Sequence, residues 1–326
     1  MGAGSHTINN CALEYLAVWE GGHTHSYGAV TKAPTCTEQG YTTYTCDCGE
    51  SYVDAYVDAL GHTWADSSAV IKECTLCGQV EGGYRIDVEA QEVWIDGAKY
   101  SAREDSKGKF VQLEDTDAAV LTVYSYNDAG AEDPHTQYPT GMQGWLLSFT
   151  DGAYTAEHVP EFDNLLQYGG SSIRVTGIKG IRMITGIDKA LRNALLDGTL
   201  GYTLLEYGTC VAWTAALEDA PLVLEEEQTL WNCAYRQGEA DPIFADTGDT
   251  IQYTNVLVGF TDDQLGQNLT LRPYMILEDG EGEQITIYGG CIVRSIGYIA
   301  KQNQDAFAEG TKADAYIEDI ISKVYG

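Results

Sequence analysis

From His25 to Cys77 the chain sets five cysteines and two histidines into a stretch with few long apolar runs. A segment so poor in core-forming side chains needs another source of cohesion, and thiols with imidazoles supply one as metal ligands. "GYTTYTC" and "ESYVDAYVDA" alternate like two strands, with "CDCG" at the turn between them. A cysteine pair at a glycine-containing hairpin tip aims both sulfurs to one side, the geometry of a zinc knuckle. Cys36, just ahead of the first strand, and one histidine, His25 or His62, are then expected to complete a Cys3His site with Cys46 and Cys48. The C-x-C gap is shorter than the usual C-x2-C of such knuckles. A second unit starts at His62 and reaches "ECTLCG", offering His62, Cys74 and Cys77. It is one ligand short, and Cys11 or His23 are the candidates to fill it. A Cys36–Cys46 disulfide is the alternative for a secreted chain. Redox catalysis is disfavoured because no helix begins at the cysteine pair to lower a thiol pKa.

Three zones follow from composition. Residues 1–83 form the Cys/His-rich unit, read as zinc-ribbon-like. Residues 84–162 are a string of short alternating segments with hairpin signals at Asp96-Gly97 and Asp151-Gly152, a small antiparallel β domain. Residues 163–326 read as a β-sandwich-like domain, with helices near Lys189–Leu196 and Ala313–Val324. "EQITIYGGCIVRSIGYIA" reads as strand throughout. The expected fold is mainly β: a Cys/His-stapled hairpin unit, then antiparallel sandwich-like domains with one or two helices.

"PTCTEQGYTTYTCDCGESYVDAYVDALGHTW" resembles a repeat module of large surface and secreted proteins of Gram-positive gut anaerobes, which recurs as PTC, then YTC-x1-2-CG, then ALGH. The likeness spans His25 to Trp64, with a truncated copy to Gly78. Segments such as "LLEYGTCVAW", "IQYTNVLVGF", "LRPYMILED" and "VRSIGYIA" are similar to a C-terminal module of such exported proteins. The resemblance implies an extracellular or cell-surface location and an accessory character, and it carries no catalytic residues. The opening "MGAGSH" reads as an appended tag on a trimmed chain, in keeping with a leader that is not seen here.

With 49 acidic and 18 basic residues, the formal charge is −31. That charge disfavours nucleic acid and anionic lipid as partners. No apolar run has the length of a membrane span, so membrane insertion is not expected. The sequence carries none of the common nucleophile-elbow, zincin, P-loop or dinucleotide motifs. His135 and His158 read as exposed loop histidines. Trp94, Trp145, Trp213 and Trp231 lie in the β zones and are candidates for stacking on a ligand. Asp246 and Asp249 in "ADTGDT" have calcium-loop residue types without EF-hand spacing, so calcium joins zinc as a cofactor to test, with a polar turn the plainer reading. The function expected is a non-enzymatic extracellular or surface protein, structural or adhesive, acting by contact with other surface proteins, with itself or with glycans. A glycan-binding accessory module is the alternative. A hydrolase built on the carboxylates of "LVLEEEQTLW", "EFDN" and "EADPIFADTGDT" is a distant third.

Overall fold

A computed structural model describes residues 23–114, 116, 118–218, 220–224, 229–240 and 243–326. The chain divides into two compact units, Met1–Glu81 and Gly82–Gly326. The described residues of both are mainly β, as the alternation in the sequence predicts.

The described part of the first unit is one three-stranded antiparallel sheet and a short hairpin. Strands β1 (Tyr27–Lys32), β2 (Gly40–Cys46) and β3 (Ser51–Val57) pair in that order. The register sets Tyr27 opposite Cys46 and Tyr44 opposite Tyr52. Strands β4 (Lys72–Glu73) and β5 (Val80–Glu81) flank the second cysteine pair. β3 is exposed along its whole length, and β1 nearly so. The buried hydrophobic residues among the described positions of this unit are Cys36, Cys46 and Cys74, so the apolar part of its interior is thiol, beside the buried Thr42. The four apolar clusters of the described residues all lie beyond Gly83. Apolar burial of this extent does not hold a unit this small together.

The second unit begins with two antiparallel sheets. β6 (Tyr84–Asp87), β10 (Gly108–Leu113) and β9 (Arg103–Asp105) form one. β13 (Ala153–His158), β12 (Pro139–Thr150), β11 (Val120–Tyr126), β7 (Glu92–Ile95) and β8 (Ala98–Ser101) form the other. Alternate residues Tyr84, Ile86, Val93, Ile95, Val111 and Leu113 meet Leu121, Val123, Trp145 and Leu147 in one core. Two further sheets follow. One runs β14 (Leu166–Ile173), β15 (Gly180–Asp188), β19 (Thr250–Val258), β18 (Ala245–Asp246). The other runs β17 (Leu230–Arg236), β16 (Tyr202–Trp213), β20 (Leu269–Asp279), β21 (Gln284–Tyr288), with β22 (Ile292–Arg294) also on β20. Tyr253 of β19 donates to the Gly208 carbonyl at 2.9 Å, and Thr209 donates to Asn255 at 2.7 Å, tying these two sheets together.

Among the described residues three α-helices decorate the sheets. α1 (Lys189–Leu196) is capped by Asp188, whose side chain accepts from the Leu191 N–H. α2 (Ile296–Gln302) is capped by Ser295, and α3 (Lys312–Tyr325) by Thr311. α1 and α3 lie where the helical spacing predicts them. α2 corrects the strand reading of "IVRSIGYIA": the strand stops at Arg294, because Ser295 caps the next N-terminus and Ile296, Ile299 and Ala300 turn one face to Ile317 and Ile320.

Residues 84–162 and 163–326 share the second unit. Arg272, fully buried, contacts Asp96 at 3.1 Å and donates to the Gly289 and Leu222 carbonyls at 3.0 Å each. Its guanidinium also lies 4.2 Å from the Tyr288 ring centroid. Tyr126 donates to the Cys291 carbonyl at 2.9 Å, and the Cys291 N–H donates to Tyr124 at 3.2 Å.

Candidate metal centres

The first centre grows from the β2–β3 turn. The Cys46 N–H donates to Glu50 and the Gly49 N–H donates back to Cys46, both at 2.8 Å. Gly49 takes φ +93°, a left-handed conformation that glycine adopts without strain. Both sulfurs therefore face the same side of the turn. β1 starts opposite Cys46, and the period of two carries His25 and His23 onto the same side as Tyr27. His25 Nδ1 lies 3.4 Å from Cys48 Sγ, and His23 Nε2 lies 3.6 Å from Cys46 Sγ. The other nitrogen of His25, Nε2, meets Glu50 at 3.0 Å. A carboxylate on the far side of a ligating imidazole fixes its tautomer and its ring plane. The backbone N–H of Cys48, with help from the two imidazoles and against the effect of burial, lowers the Cys46 thiol to about 6.

The second centre is built from loops. Leu60 and Gly61 donate to the carbonyls of Thr35 and Cys36 at 2.9 and 3.0 Å, which lays His62 beside Cys36. Trp64 bridges Cys74, and the Thr75 N–H donates to Thr63 at 2.8 Å. The Gly78 N–H closes the Cys74–Cys77 turn onto the Cys74 carbonyl at 2.9 Å. Cys36 Sγ lies 3.8 Å from Cys74 Sγ, and Cys77 Sγ lies 3.5 Å from His62 Nδ1. Burial opposes ionisation of Cys74, but the His62 side chain and the N–H groups of Leu76 and Cys77 outweigh it and bring the thiol to about 6. Burial, with the neighbouring sulfurs of Cys77 and Cys74, pushes Cys36 up to about 11. A thiol held protonated between two others is what three sulfurs do without a cation.

The ligand atoms of His23, His25, Cys46 and Cys48 all lie within 4.8 Å of one another, as do those of Cys36, His62, Cys74 and Cys77. Each quartet is compatible with a bound metal ion. The seven ligands expected from sequence are all present in these quartets, but Cys36 is not with Cys46 and Cys48. It belongs with His62, Cys74 and Cys77, and His23 completes the first set. The expected Cys3His set of the first unit is thus a His2Cys2 set, and the second unit is the Cys3His set. In chain order the sets interlace, because Cys36 falls between the two halves of the first quartet. Cys36 and Cys46 are both free thiols here and sit in different quartets, so they do not pair across the hairpin. Cys11 lies outside the described residues.

The remaining candidates scatter. Asp246 accepts from Gly248 at 3.0 Å and pairs with Lys189, so "ADTGDT" is a turn closed on itself, and Asp246 and Asp249 are in neither quartet. Trp145 is buried in the core of the first pair of sheets. Trp94 packs edge-on against Tyr126 with Lys99 over its ring. Trp213 packs against Phe260, and both line a cleft of about 440 Å³ with Leu230, Leu257 and Leu269. The Trp231 side chain lies outside the described structure, as do Glu225, Glu226, Glu227 and Asp241. His135 is clasped between Asp133 at 2.6 Å and Asn268 at 2.8 Å, and its ring stacks on Tyr298. His158 meets Asp163 at 2.9 Å, and Asp163 also accepts from the Gly144 N–H. Both histidines fasten loops and are less exposed than their sequence setting suggests. No helix among the described residues is long and apolar enough to cross a membrane.

Fold and site together define a mainly β protein with two Cys/His quartets in its first unit. Comparison of the chain with protein-family models, with curated proteins and with solved structures gave no match.

Proposed function

We propose that the chain is a non-enzymatic, exported or surface-displayed protein that acts by contact, and that two structural zinc ions hold its first unit together. The observation that carries the zinc reading is the spacing of the ligand atoms. A tetrahedral zinc ion with ordinary bond lengths sets sulfurs about 3.8 Å apart, and a sulfur about 3.5 Å from a nitrogen. The observed separations are 3.8 Å between sulfurs and 3.4 to 3.6 Å between sulfur and nitrogen. A disulfide would bring the sulfurs to about 2 Å. Four protein ligands leave no open position for substrate, the arrangement of a structural site. The thiol-lined interior supports the same role, because bound metal then supplies the cohesion that apolar burial does not.

The location and the mode of action rest on the likeness of the PTC…YTCDCG…ALGH segment to modules of exported proteins, and on a charge of −31 that suits a soluble surface. Contact with glycans is the second reading. It is favoured by the tyrosines of the first sheet, where Tyr52 and Tyr56 are exposed and Tyr52 stacks on Tyr44 at 4.9 Å.

The test uses the purified full chain. Elemental analysis is expected to find two zinc ions per chain, and sedimentation with and without calcium, beside a glycan array, is expected to reveal self-association or glycan retention. A chain without zinc removes the metal reading. Turnover of a glycan or peptide substrate removes the non-enzymatic one.

A further inference from the structure

We propose that the two centres hold their ions unequally: the His23/His25/Cys46/Cys48 centre exchanges its metal with the surroundings, the Cys36/His62/Cys74/Cys77 centre retains it, and occupancy of the first governs how firmly the start of β1 is fastened to the sheet. This inference rests on the metal reading above.

Three observations carry it. The first is access. In the exchanging centre only Cys46 is buried, and His23, His25 and Cys48 are exposed. In the retaining centre Cys36 and Cys74 are buried, His62 is half-buried and only Cys77 is exposed, so one ligand of four faces solvent where the other centre has three. An incoming chelator adds a donor to an exposed ion before any protein ligand leaves, whereas a buried ion waits for local opening.

The second is the donor set. Two thiolates and two imidazoles neutralise a divalent ion, while three thiolates over-neutralise it and offer softer donors. The retaining set therefore holds zinc through stronger electrostatic attraction and better-matched ligands.

The third is what surrounds each centre. The exchanging quartet sits at the end of a preformed sheet, with Cys46 and Cys48 fixed by the β2–β3 turn, so its cysteine half survives loss of the ion. Its histidine half does not have that support. His23 and His25 precede β1, a strand exposed over five of its six residues. His25 stacks on Tyr27 at 5.6 Å, and Tyr27 meets Tyr52 edge-on at 4.9 Å. Releasing His25 therefore loosens Tyr27 and the first rungs of the β1–β2 ladder, and leaves β2–β3 paired. The retaining centre is enclosed by loops tied to each other through Thr35, Cys36, Thr63 and Trp64, and its own interactions keep it shut.

The experiment mixes the two-zinc full chain with a chromogenic chelator and follows release, with hydrogen exchange read at the point where one ion has left. Release is expected in two phases of one ion each, the second at least about tenfold slower. Segment 23–32 should gain exchange in the first phase while segment 60–78 stays protected. His25→Ala should abolish the fast phase and keep the slow one. Should that variant fail to fold, the exchange pattern of the unsubstituted chain decides. Release of both ions at one rate, or opening of 60–78 first, overturns the inequality and leaves the metal reading standing. A chain that binds no zinc overturns both.

Discussion

Cys36 Sγ lies 3.8 Å from Cys74 Sγ although 38 residues separate them in the chain. The contact places the PTC arm in the second centre and joins the two halves of the first unit. Cys36→Ser is therefore expected to cost one zinc ion of two, and the lost ion is that of the second centre. Structural zinc contributes on the order of 10 kcal/mol to small domains, so residues 60–78 should lose protection outright. Native mass spectrometry with hydrogen exchange reads both outcomes. A variant that keeps 60–78 protected and loses protection at 23–32 would return Cys36 to the first centre.

Glu50 meets His25 Nε2 at 3.0 Å and leaves Nδ1 to face Cys48. Outer partners of this kind typically change metal affinity by about 10- to 100-fold when removed. Glu50→Gln should lower affinity at the first centre by about tenfold and leave the second unchanged. Competition with a chelator of known affinity measures it. Glu50 is a positioning residue, so Glu50→Asp should recover part of the affinity where its shorter carboxylate still reaches the ring.

Acid should strip the metal. Cys46 and Cys74 ionise at about 6, well below a free thiol. A group with a lowered folded pKa contributes stability that is present in full above the unfolded value, about 8.5 for cysteine, and is lost as pH falls through the folded value. Cys36 runs the other way: pushed up to about 11, its protonated form favours the metal-free fold below about 8.5. Binding metal at Cys36 therefore expels a proton at neutral pH, so affinity at the second centre should keep rising with pH above 7. Zinc retained per chain against a competing chelator, measured from pH 8 down to pH 5, should fall as protons compete with the ion for the sulfurs. Retention unchanged at pH 5 would count against thiolate ligands.

The sequence made the β character legible because alternation and turn chemistry agreed. Asp96-Gly97 and Asp151-Gly152 are both tight hairpin turns with positive φ at each residue, as Asp-Gly between alternating strands predicts. α2 was hidden because β-branched and aromatic residues continue on both sides of Arg294-Ser295, and only Ser295 as a helix cap marks the change of period. The ligand residues stood out as a set, but their partition did not. Spacing along a hairpin assigns Cys46 to Cys48, whereas Cys36 and His62 sit in loops whose path depends on the Leu60 and Gly61 hydrogen bonds. A cue for His23 was present in "HTH": two histidines two residues apart ahead of a strand share one face.

Arg272 is among the largest fully buried side chains of the described residues, and it brings its charge to Asp96 from a strand 176 residues away in the chain. Its contact with Asp96 in the β7–β8 turn crosses to residues 84–162, while the Leu222 carbonyl in the loop after β16 and the Gly289 carbonyl after β21 fix the guanidinium from within 163–326. Removing Arg272 leaves two carbonyl acceptors and the partly exposed Asp96 carboxylate without their partner, at a cost of at most about 3–5 kcal/mol. Arg272→Ala should therefore lower the unfolding midpoint of the second unit by several degrees and loosen one of the ties between residues 84–162 and the rest, leaving those of Tyr124 and Tyr126 to Cys291. Arg272→Met fills more of the space, so it should cost less than alanine. Zinc content should stay at the unsubstituted level in both variants, since no ligand of either quartet lies beyond Cys77. Denaturant unfolding followed by tryptophan emission, with zinc analysis on the same samples, separates these outcomes. A midpoint unchanged by Arg272→Ala would mean that apolar packing between the sheets, and not this charge, joins the two segments.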